Sequence, residues 1–301
     1  MAWRNLLVQN PARLSLKNAQ LQLESDEGIF SVAVEDLACI ILESHHITVS
    51  TALLARCQEH GVCIAICDAT HMPNGVLHSF HEHSRQSKIA HLQIGWSEPF
   101  KKRCWQAIVR AKVTGQADVL EKYMGKNAAK ALRSMRQHVT SGDEKNIEAQ
   151  AAREYWQNLF GLEFRRHAPD AINGALNYGY AIMRAAIARS IVSFGLLPAF
   201  GLHHDNELNA FNLADDIIET FRPFVDNQVK SIQLTGELSE KQLTKENRQT
   251  LAAILNTTCM LSGEIHSLIN ASDKVAERLV VAIERKDPQE LVFPEIQTTL
   301  L

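Results

Sequence analysis

The sequence lacks the cysteine spacing that is typical of zinc sites. It has six cysteines, and no two of them form a pair separated by two residues. Several lie inside apolar runs such as GVCIAIC, residues 61 to 67. We therefore expect buried, reduced thiols rather than disulfides or a zinc site.

A long uninterrupted hydrophobic run is also missing. The N-terminal stretch MAWRNLLVQNP reaches Pro11 with only Leu6, Leu7 and Val8 as an apolar run, which is too short for a signal peptide. The most apolar window, AAIARSIVSFGLLPAFG, is interrupted by Arg189 and Pro198. These absences predict a cytoplasmic protein without a membrane segment.

The chain has little net charge, since 31 Lys and Arg stand against 34 Asp and Glu. The distribution is nevertheless uneven. From Arg85 to Arg136 there are twelve basic residues and three acids, a local balance of +9, so the rest of the chain carries −12. Four of the basic residues recur at helical spacing and predict a cationic stripe that suits a phosphate backbone: Lys122, Lys126, Lys130 and Arg133. A solvated helix face is the alternative interpretation.

The hydrophobic pattern changes its period along the chain and predicts an α+β protein. Residues 1 to 76 alternate as strands do, with a hairpin in LSLKNAQLQL turning at Lys17-Asn18, and with one short helix in TALLARCQEHG. From about Arg85 the period becomes 3.6. We predict an N-terminal β domain (1–76), a linker (77–85), a larger all-α domain (86–286) and a C-terminal tail (287–301). The predicted helices are 85–93, 99–113, 116–124, 126–138, 146–160, 171–194, 206–229, 241–254 and 258–283.

Acidic residues and histidines gather in GLHHDNELNAFNLADDIIETFRP, residues 201 to 223. On a helix, Asp215, Asp216 and Glu219 share a face, where a cation would relieve their repulsion. Arg222, three residues beyond Glu219, could neutralise an acid or hold a phosphate. A second helix supplies Glu148 beside an apolar stripe, where a carboxylate needs a partner. On spacing alone, Glu148 could equally stabilise a helix N-terminus, and the histidines could be caps or core groups.

Four sequence blocks, in their order and separations, resemble the CRISPR-associated integrase that acquires new spacers. They are LARCQEHGVCIAICDATHMPNG, IEAQAAREYWQNLF, INGALNYGYAIMR and LLPAFGLHHDNELNAFNLADDIIETFRPFVD. The resemblance reaches from the sheet domain to about Asp226. The HH pair followed by FNLADDIIE and FRP is most similar to the branch that accompanies the type II systems.

The resemblance implies a β-sandwich-like N-terminal domain and a helical catalytic domain that holds a divalent metal, Mg²⁺ or Mn²⁺. By position, the metal ligands would be Glu148, His204 and Glu219, with Arg222 as a further catalytic residue near the reacting phosphate. His203, next to His204, leaves the ligand ambiguous by one residue. The resemblance assigns supporting roles to Asp216, Asn173, Asn177 and Tyr178, although Tyr178 could equally be a core ring.

The implied activity is metal-dependent DNA cleavage and insertion of captured DNA fragments into a CRISPR array by 3′-hydroxyl transesterification. On this hypothesis the cationic stripe and Arg85 contact double-stranded DNA. The resemblance also implies a homodimer formed through the N-terminal domains and a small ferredoxin-like partner protein. Two alternatives stay open: a metal-dependent helical phosphohydrolase of nucleotides, suggested by the HHD triplet at 203 to 205, and a non-enzymatic DNA-binding scaffold.

Overall fold

A computed structural model describes residues 4–77, 79, 83–238 and 243–297. The first part of the chain forms strands and one helix. The strands are β1 (Arg4–Val8), β2 (Ala12–Lys17), β3 (Gln20–Ser25), β4 (Gly28–Ala33), β5 (Leu37–Leu42), β6 (Ile47–Val49), β7 (Cys63–Cys67) and β8 (Pro73–Leu77). Helix α1 (Thr51–Glu59) lies between β6 and β7.

The second part of the chain is mainly helical. Its helices are α2 (Gln86–Ile94), α3 (Glu98–Met124), α4 (Lys126–Gln137), α5 (Ile147–Phe160), α6 (Ala171–Ser193), α7 (Asn212–Ile218), α8 (Arg222–Thr235), α9 (Lys245–Ala252) and α10 (Leu268–Arg285). Strands β9 (Thr258–Leu261) and β10 (Glu264–Ser267) form an antiparallel hairpin between α9 and α10. None of the described helices is both long and apolar enough to cross a membrane.

The strands of the first part form two four-stranded sheets, with the orders β1-β5-β7-β8 and β4-β3-β2-β6. The hairpin predicted from LSLKNAQLQL is present as β2 and β3, with Leu14 opposite Leu23 and Leu16 opposite Leu21. Its turn lies at Asn18-Ala19, one residue later than predicted. Both turn residues have positive φ, which suits the twist of a two-residue hairpin.

The sheet β1-β5-β7-β8 packs against a core on each of its faces. Successive side chains of a strand point to opposite sides, so neighbouring residues enter different cores. Ile40 of β5 and Ile64 of β7 belong to a small core that they share with the other sheet and α1. Cys39 and Ile41, one residue away on either side of Ile40, belong instead to the large core formed with the helices. The α+β class, with a sheet region followed by a helical region, is therefore confirmed.

Two details of the predicted helices are wrong for reasons of packing. The predicted helices 99–113 and 116–124 are one helix, α3, because Gly115 is needed for close contact rather than for a break. A Cβ at Gly115 would lie 2.9 Å from Cγ of Pro223 at the start of α8. The predicted helix 206–229 is instead α7 and α8, because Pro223 suits the first turn of a helix but cannot continue a preceding one.

The expectation of an all-α second domain is wrong at residues 258–267. Ser262 and Gly263 both have positive φ and form the turn of the β9–β10 hairpin, so only the later part of the predicted helix 258–283 is helical, as α10. The domain boundaries stay a prediction. In the predicted linker, residues 78 and 80–82 lie outside the described residues, as do 298–301 in the tail.

Candidate active site

Three helical segments bring two carboxylates onto one ammonium group. Glu148 lies in the first turn of α5, Glu219 directly follows α7, and Lys112 lies midway along α3. The Lys112 Nζ pairs with Oε1 of Glu148 and with Oε2 of Glu219. Lys112 and Glu219 are each only 6% exposed. The resemblance placed both acids in one site, and the sequence analysis missed the lysine between them.

Glu148 owes its position to the start of α5. The carboxylate of Asp143 accepts hydrogen bonds from the backbone N–H of Ile147 at 3.0 Å and of Glu148 at 2.9 Å. Free N–H groups at a helix start need such acceptors. These bonds fix the start of α5 and with it the position of Glu148. Glu148 is also the acid at a helix N-terminus that the alternative interpretation of the sequence described.

The charges at this point are strongly coupled. Burial would raise the pKa of Glu219, but Lys112 and Arg222 outweigh burial and lower it to about 2. Arg222 Nε donates to Glu219 Oε1 at 2.8 Å. Burial would likewise lower the pKa of Lys112, and the carboxylates of Glu219 and Glu148 reverse that effect, so the pKa is raised. Both groups are therefore charged at neutral pH.

The loop between α6 and α7 is held by one buried carboxylate, Asp216, which has no exposed surface. It accepts hydrogen bonds from the backbone N–H groups of Leu202 at 2.5 Å, His203 at 3.1 Å and His204 at 3.1 Å. A Cβ at Gly201 would overlap the backbone oxygen of His204 and would lie 2.8 Å from Oδ2 of Asp216. The glycine before LHH is therefore required by the tight course of the loop as well as by the close approach of Asp216.

Asp216 also orients the imidazole of His204. Nδ1 of His204 lies 2.7 Å from Oδ1 of Asp216. Because a carboxylate can only accept, Nδ1 carries the proton, and Nε2 is the lone-pair nitrogen of the neutral ring. The hydrogen bond to Asp216 is the main cause of a raised His204 pKa. This is the arrangement in which a second carboxylate prepares a histidine for a metal.

His203 is used differently. Its ring stacks on Trp105 of α3, with ring centroids 4.1 Å apart and an angle of 4° between the planes. His204 meets the same indole edge-on, with the centroids 5.8 Å apart. Packing therefore accounts for His203, and the geometry favours His204 as the ligand.

Removing the Asp216 carboxylate should detach this loop. We expect Asp216→Ala to lower the free energy of unfolding by about 3–5 kcal/mol, because three backbone N–H groups, that of Leu202 buried and the other two partly buried, lose their acceptor. Chemical denaturation measures the loss. Asp215→Ala is the matched neighbour, since Asp215 is partly exposed and binds the side chains of Arg184 and Asn209 rather than the backbone N–H groups of the loop. An equal loss in both variants would contradict this role for Asp216.

The carboxylates of Glu148 and Glu219 are placed to hold a hard cation, whereas the predicted set of three ligands that includes His204 is not grouped in one place. Oε2 of Glu219 is buried and meets the Lys112 ammonium, which Oε1 of Glu148 also meets. Such oxygen donors suit Mg²⁺ or Mn²⁺. His204 does not line the cleft that contains the two acids, and among the described residues no three acidic, histidine or cysteine side chains are grouped as a metal site. The assignment of Glu148, His204 and Glu219 as ligands stays a prediction.

Glu148 and Glu219 open into a cleft of about 500 Å³. Its charged and polar lining comes from α3, α5, α6 and α8, from the residue after α7 and from the connection between α5 and α6: Lys112, Gln116, Glu148, Arg166, His167, Asn173, Asn177, Tyr180, Glu219, Arg222 and Asp226. Arg166 donates to Asn173 Oδ1 at 3.0 Å and to Asn177 Oδ1 at 2.8 Å. The two predicted asparagines therefore hold an arginine in the cleft, which the sequence analysis did not identify.

Tyr178 lies away from the cleft. It is fully buried, and its hydroxyl lies 3.5 Å from Oε2 of Glu43 at the end of β5. Successive turns of α6 place it on the side that faces the sheet, so its predicted supporting role stays a prediction. The interpretation as a core ring is the one that fits.

The predicted cationic stripe is divided between two helices. Gly125, with φ of 84°, separates Lys122 on α3 from the other three residues on α4. Lys122 donates to Asn227, and Arg133 is paired with Asp118 and Glu121. Lys126 and Lys130 are exposed on α4, and Arg85 is exposed just before α2. The predicted stripe thus runs over two helices, as the predicted helices 116–124 and 126–138 required, and among the described residues Lys126 and Lys130 make no ion pair.

The fold and the cleft together define a class of α+β proteins in which a mainly helical region carries a carboxylate-lined, arginine-flanked site. A model of the family described as CRISPR associated protein Cas1 matches residues 6–260. The chain belongs to this family, and the resemblance found in the sequence is confirmed.

A curated relative and two solved structures agree. The chain is 41% identical over 296 residues to the CRISPR-associated endonuclease Cas1 of Neisseria meningitidis, covering 98% of this chain and 97% of the relative. A casposase bound to integration product has a TM-score of 0.80 at 16% identity, covering 99% of this chain and 96% of that one. A Cas6-RT-Cas1–Cas2 complex gives a TM-score of 0.74 at 20% identity, covering 99% of this chain and 36% of that longer one. At these identities the structural likeness shows the fold alone.

Proposed function

We propose that the protein is a metal-dependent DNA endonuclease and integrase that inserts captured DNA fragments into a CRISPR array. The observation that carries the proposal is the convergence of the Glu148 and Glu219 carboxylates on the Lys112 ammonium. The cleft where they meet also holds Arg166 and Arg222. The names of the relatives support it, since one is called an endonuclease and one solved neighbour holds an integration product.

Glu148, Glu219 and the Nε2 of His204 would hold the metal, Mg²⁺ or Mn²⁺. When bound, such a cation withdraws charge from the phosphodiester that reacts. Arg222 and Arg166 are placed to hold nonbridging phosphate oxygens, for which the guanidinium fork is suited. Asp216 fixes the ring of His204 so that its proton stays on Nδ1.

In the reaction, the 3′-hydroxyl oxygen of the captured DNA forms a bond to phosphorus of the target strand. The bond from that phosphorus to the target 3′ oxygen breaks, and this oxygen leaves as a new 3′-hydroxyl. One proton leaves the attacking hydroxyl and one is gained by the leaving oxygen, so the exchange is balanced. With water as the attacking group, the same site cleaves DNA.

We further propose that the protein acts as a homodimer through its N-terminal domain, with double-stranded DNA and a small ferredoxin-like partner. The solved Cas6-RT-Cas1–Cas2 complex supports an assembly with a second protein, since its name joins a Cas1 to a Cas2. Sedimentation of the isolated protein at micromolar concentration tests the dimer, and a monomer there would contradict it.

The test of the reaction is joining of a short duplex with free 3′-hydroxyls to a supercoiled plasmid. The reaction contains Mn²⁺ or Mg²⁺ and the small partner protein, and it compares the wild type with His204→Ala and His203→Ala. We expect covalent joining by the wild type, its loss in His204→Ala and its retention in His203→Ala. Release of phosphate from free nucleotides without joining would favour a phosphohydrolase. Retained function without Glu148 would favour a scaffold.

Reversing the two accessible lysines of α4 should weaken DNA binding. For Lys126→Glu with Lys130→Glu, we expect the slope of log K against log salt to fall by about 2, because each lost phosphate contact removes close to one released ion. Fluorescence anisotropy at several salt concentrations measures it. Lys17→Glu with Lys274→Glu changes the charge equally on other exposed surfaces and serves as the control. Unchanged binding would remove Lys126 and Lys130 from the DNA footprint.

A further inference from the structure

Beneath the cleft lies a buried carboxylate that the reaction described above does not use. Asp226 of α8 is 1% exposed. Its Oδ2 accepts a hydrogen bond from the hydroxyl of Tyr155 on α5 at 3.0 Å, and its Oδ1 accepts one from the hydroxyl of Tyr180 on α6. No ion pair to Asp226 exists among the described residues. A buried carboxylate held only by hydroxyls is costly, so its charge needs an explanation.

The explanation lies in the arginines beside Tyr180. The guanidinium carbon of Arg222 lies 4.4 Å from the centre of the Tyr180 ring, and that of Arg166 lies 5.3 Å from it. Arg222 stands four residues before Asp226 and three after Glu219, so both acids are its neighbours on the helical surface. Arg222 is therefore held by Glu219 on one side and by the Tyr180–Asp226 pair on the other.

We propose that Asp226 is a positioning residue. It fixes Tyr180, and the ring of Tyr180 together with the charge of Asp226 holds Arg222 against Glu219. The inference rests on the proposed function and deepens it, because Arg222 is the group that would meet the reacting phosphate. Tyr155, fully buried, fixes the second oxygen of Asp226 and so prevents the carboxylate from turning away. Phenol hydroxyls and a charged acceptor make stronger hydrogen bonds than neutral pairs do.

The protonation of Asp226 supports this role. Burial raises the pKa of Asp226 to about 7, although the two tyrosine hydroxyls, Arg222 and Arg166 oppose the rise. The groups that face it are Tyr155 from α5, Tyr180 from α6, Arg166 from the connection between those helices, and Arg222 from α8 itself. Above pH 7 the folded protein thus holds a charge that the unfolded chain would solvate better. Above pH 7, ionised Asp226 therefore lowers the free energy of unfolding.

The pH dependence of stability distinguishes a positioning role of Asp226 from a purely structural one. Because the folded pKa exceeds the unfolded one, the stability that protonated Asp226 contributes is lost as the pH rises through about 7. Asp226→Asn removes the charge and keeps the shape. We expect its melting temperature at pH 8 to equal or exceed that of the wild type, whereas its strand-transfer rate falls about tenfold with little change in KM for DNA.

The experiment measures strand transfer by the full-length protein with its small partner and Mn²⁺ from pH 6 to pH 8. We expect the ratio of wild-type to Asp226→Asn rates to be about ten at pH 8 and to approach one at pH 6, where Asp226 is protonated in the wild type. Using the ratio cancels other groups that titrate in both proteins. A ratio that is independent of pH, or a rate equal to that of the wild type at pH 8, would overturn the proposal.

Glu43→Gln is the matched control. Glu43 is also 1% exposed and also meets a tyrosine hydroxyl and an arginine, Tyr178 and Arg248, but it lies at the end of β5 outside the cleft. We expect its strand-transfer rate to equal that of the wild type across the pH range. An equal loss of rate in Glu43→Gln would mean that any buried carboxylate matters, and the specific role of Asp226 would be wrong.

A spectroscopic readout keeps the inference separate from the proposed function. In protein labelled with ¹⁵N-arginine, the Nε–H signal of Arg222 is identified by its loss in Arg222→Lys. We expect Asp226→Asn to broaden or shift this signal and Glu43→Gln to leave it unchanged. If the wild type joins no DNA, the proposed function fails while this signal still decides whether Asp226 positions Arg222. An identical signal in Asp226→Asn and the wild type would refute the positioning role.

Discussion

Replacing Glu219 with glutamine should lower the strand-transfer rate by about a thousandfold, equivalent to about 4 kcal/mol of transition-state stabilisation. The amide has nearly the same shape but no charge, so the cleft loses one of the two carboxylates that converge on a cation. Arg222 also loses the partner that its Nε meets at 2.8 Å. Plasmid joining under single-turnover conditions measures the rate, and circular dichroism checks that the variant is folded.

The matched control is Glu154→Gln, on the same helix as Glu148 but facing Asn158 rather than the cleft. It should keep the wild-type rate, whereas Glu148→Gln should behave like Glu219→Gln. DNA affinity measured without metal should change little in any of the three, because the carboxylates do not hold the DNA backbone. A Glu219→Gln rate within tenfold of the wild type would show that this carboxylate is not part of the reaction.

Replacing Lys112 with methionine should destabilise the metal-free protein and tighten its binding of Mn²⁺. The ammonium lies between two carboxylates, and its loss leaves like charges facing each other in a buried place. Removing one partner of a buried ion pair typically costs about 3–5 kcal/mol. A divalent cation would no longer compete with the lysine, so we expect about tenfold tighter binding and recovery of the melting temperature when Mn²⁺ is added.

Titration of Mn²⁺ followed by electron paramagnetic resonance measures the affinity without any catalytic step. Lys101→Met is the control on the same helix, because Lys101 pairs with the exposed Glu98. It should alter neither the melting temperature nor the Mn²⁺ affinity appreciably. Equal Mn²⁺ affinity in Lys112→Met and the wild type would mean that the metal does not bind where the Lys112 ammonium lies.

The missed residues share a physical cause. Lys112 is one of the twelve basic residues between Arg85 and Arg136, yet it is buried with its charge turned inward. Its neighbours Val109 and Val113 belong to the hydrophobic core, so a charged residue on an apolar helical face was the available signal. The same signal singled out Glu148, which meets Lys112. Nothing in the local pattern could show that these two side chains meet.

Local sequence determined the hairpin of β2 and β3, the helices α5 and α6, and the acids that follow GLHH, because alternation, capping and helical spacing act over a few residues. The tertiary structure alone decided which charges converge. Lys112, Glu148 and Glu219 come from segments far apart in the chain, and only the packing of α3 against α5 and α8 brings them together. It likewise decided that Gly115 permits a close approach to Pro223 and that Asp226 lies between two tyrosines. Such pairings depend on burial and distance, which a linear pattern does not contain.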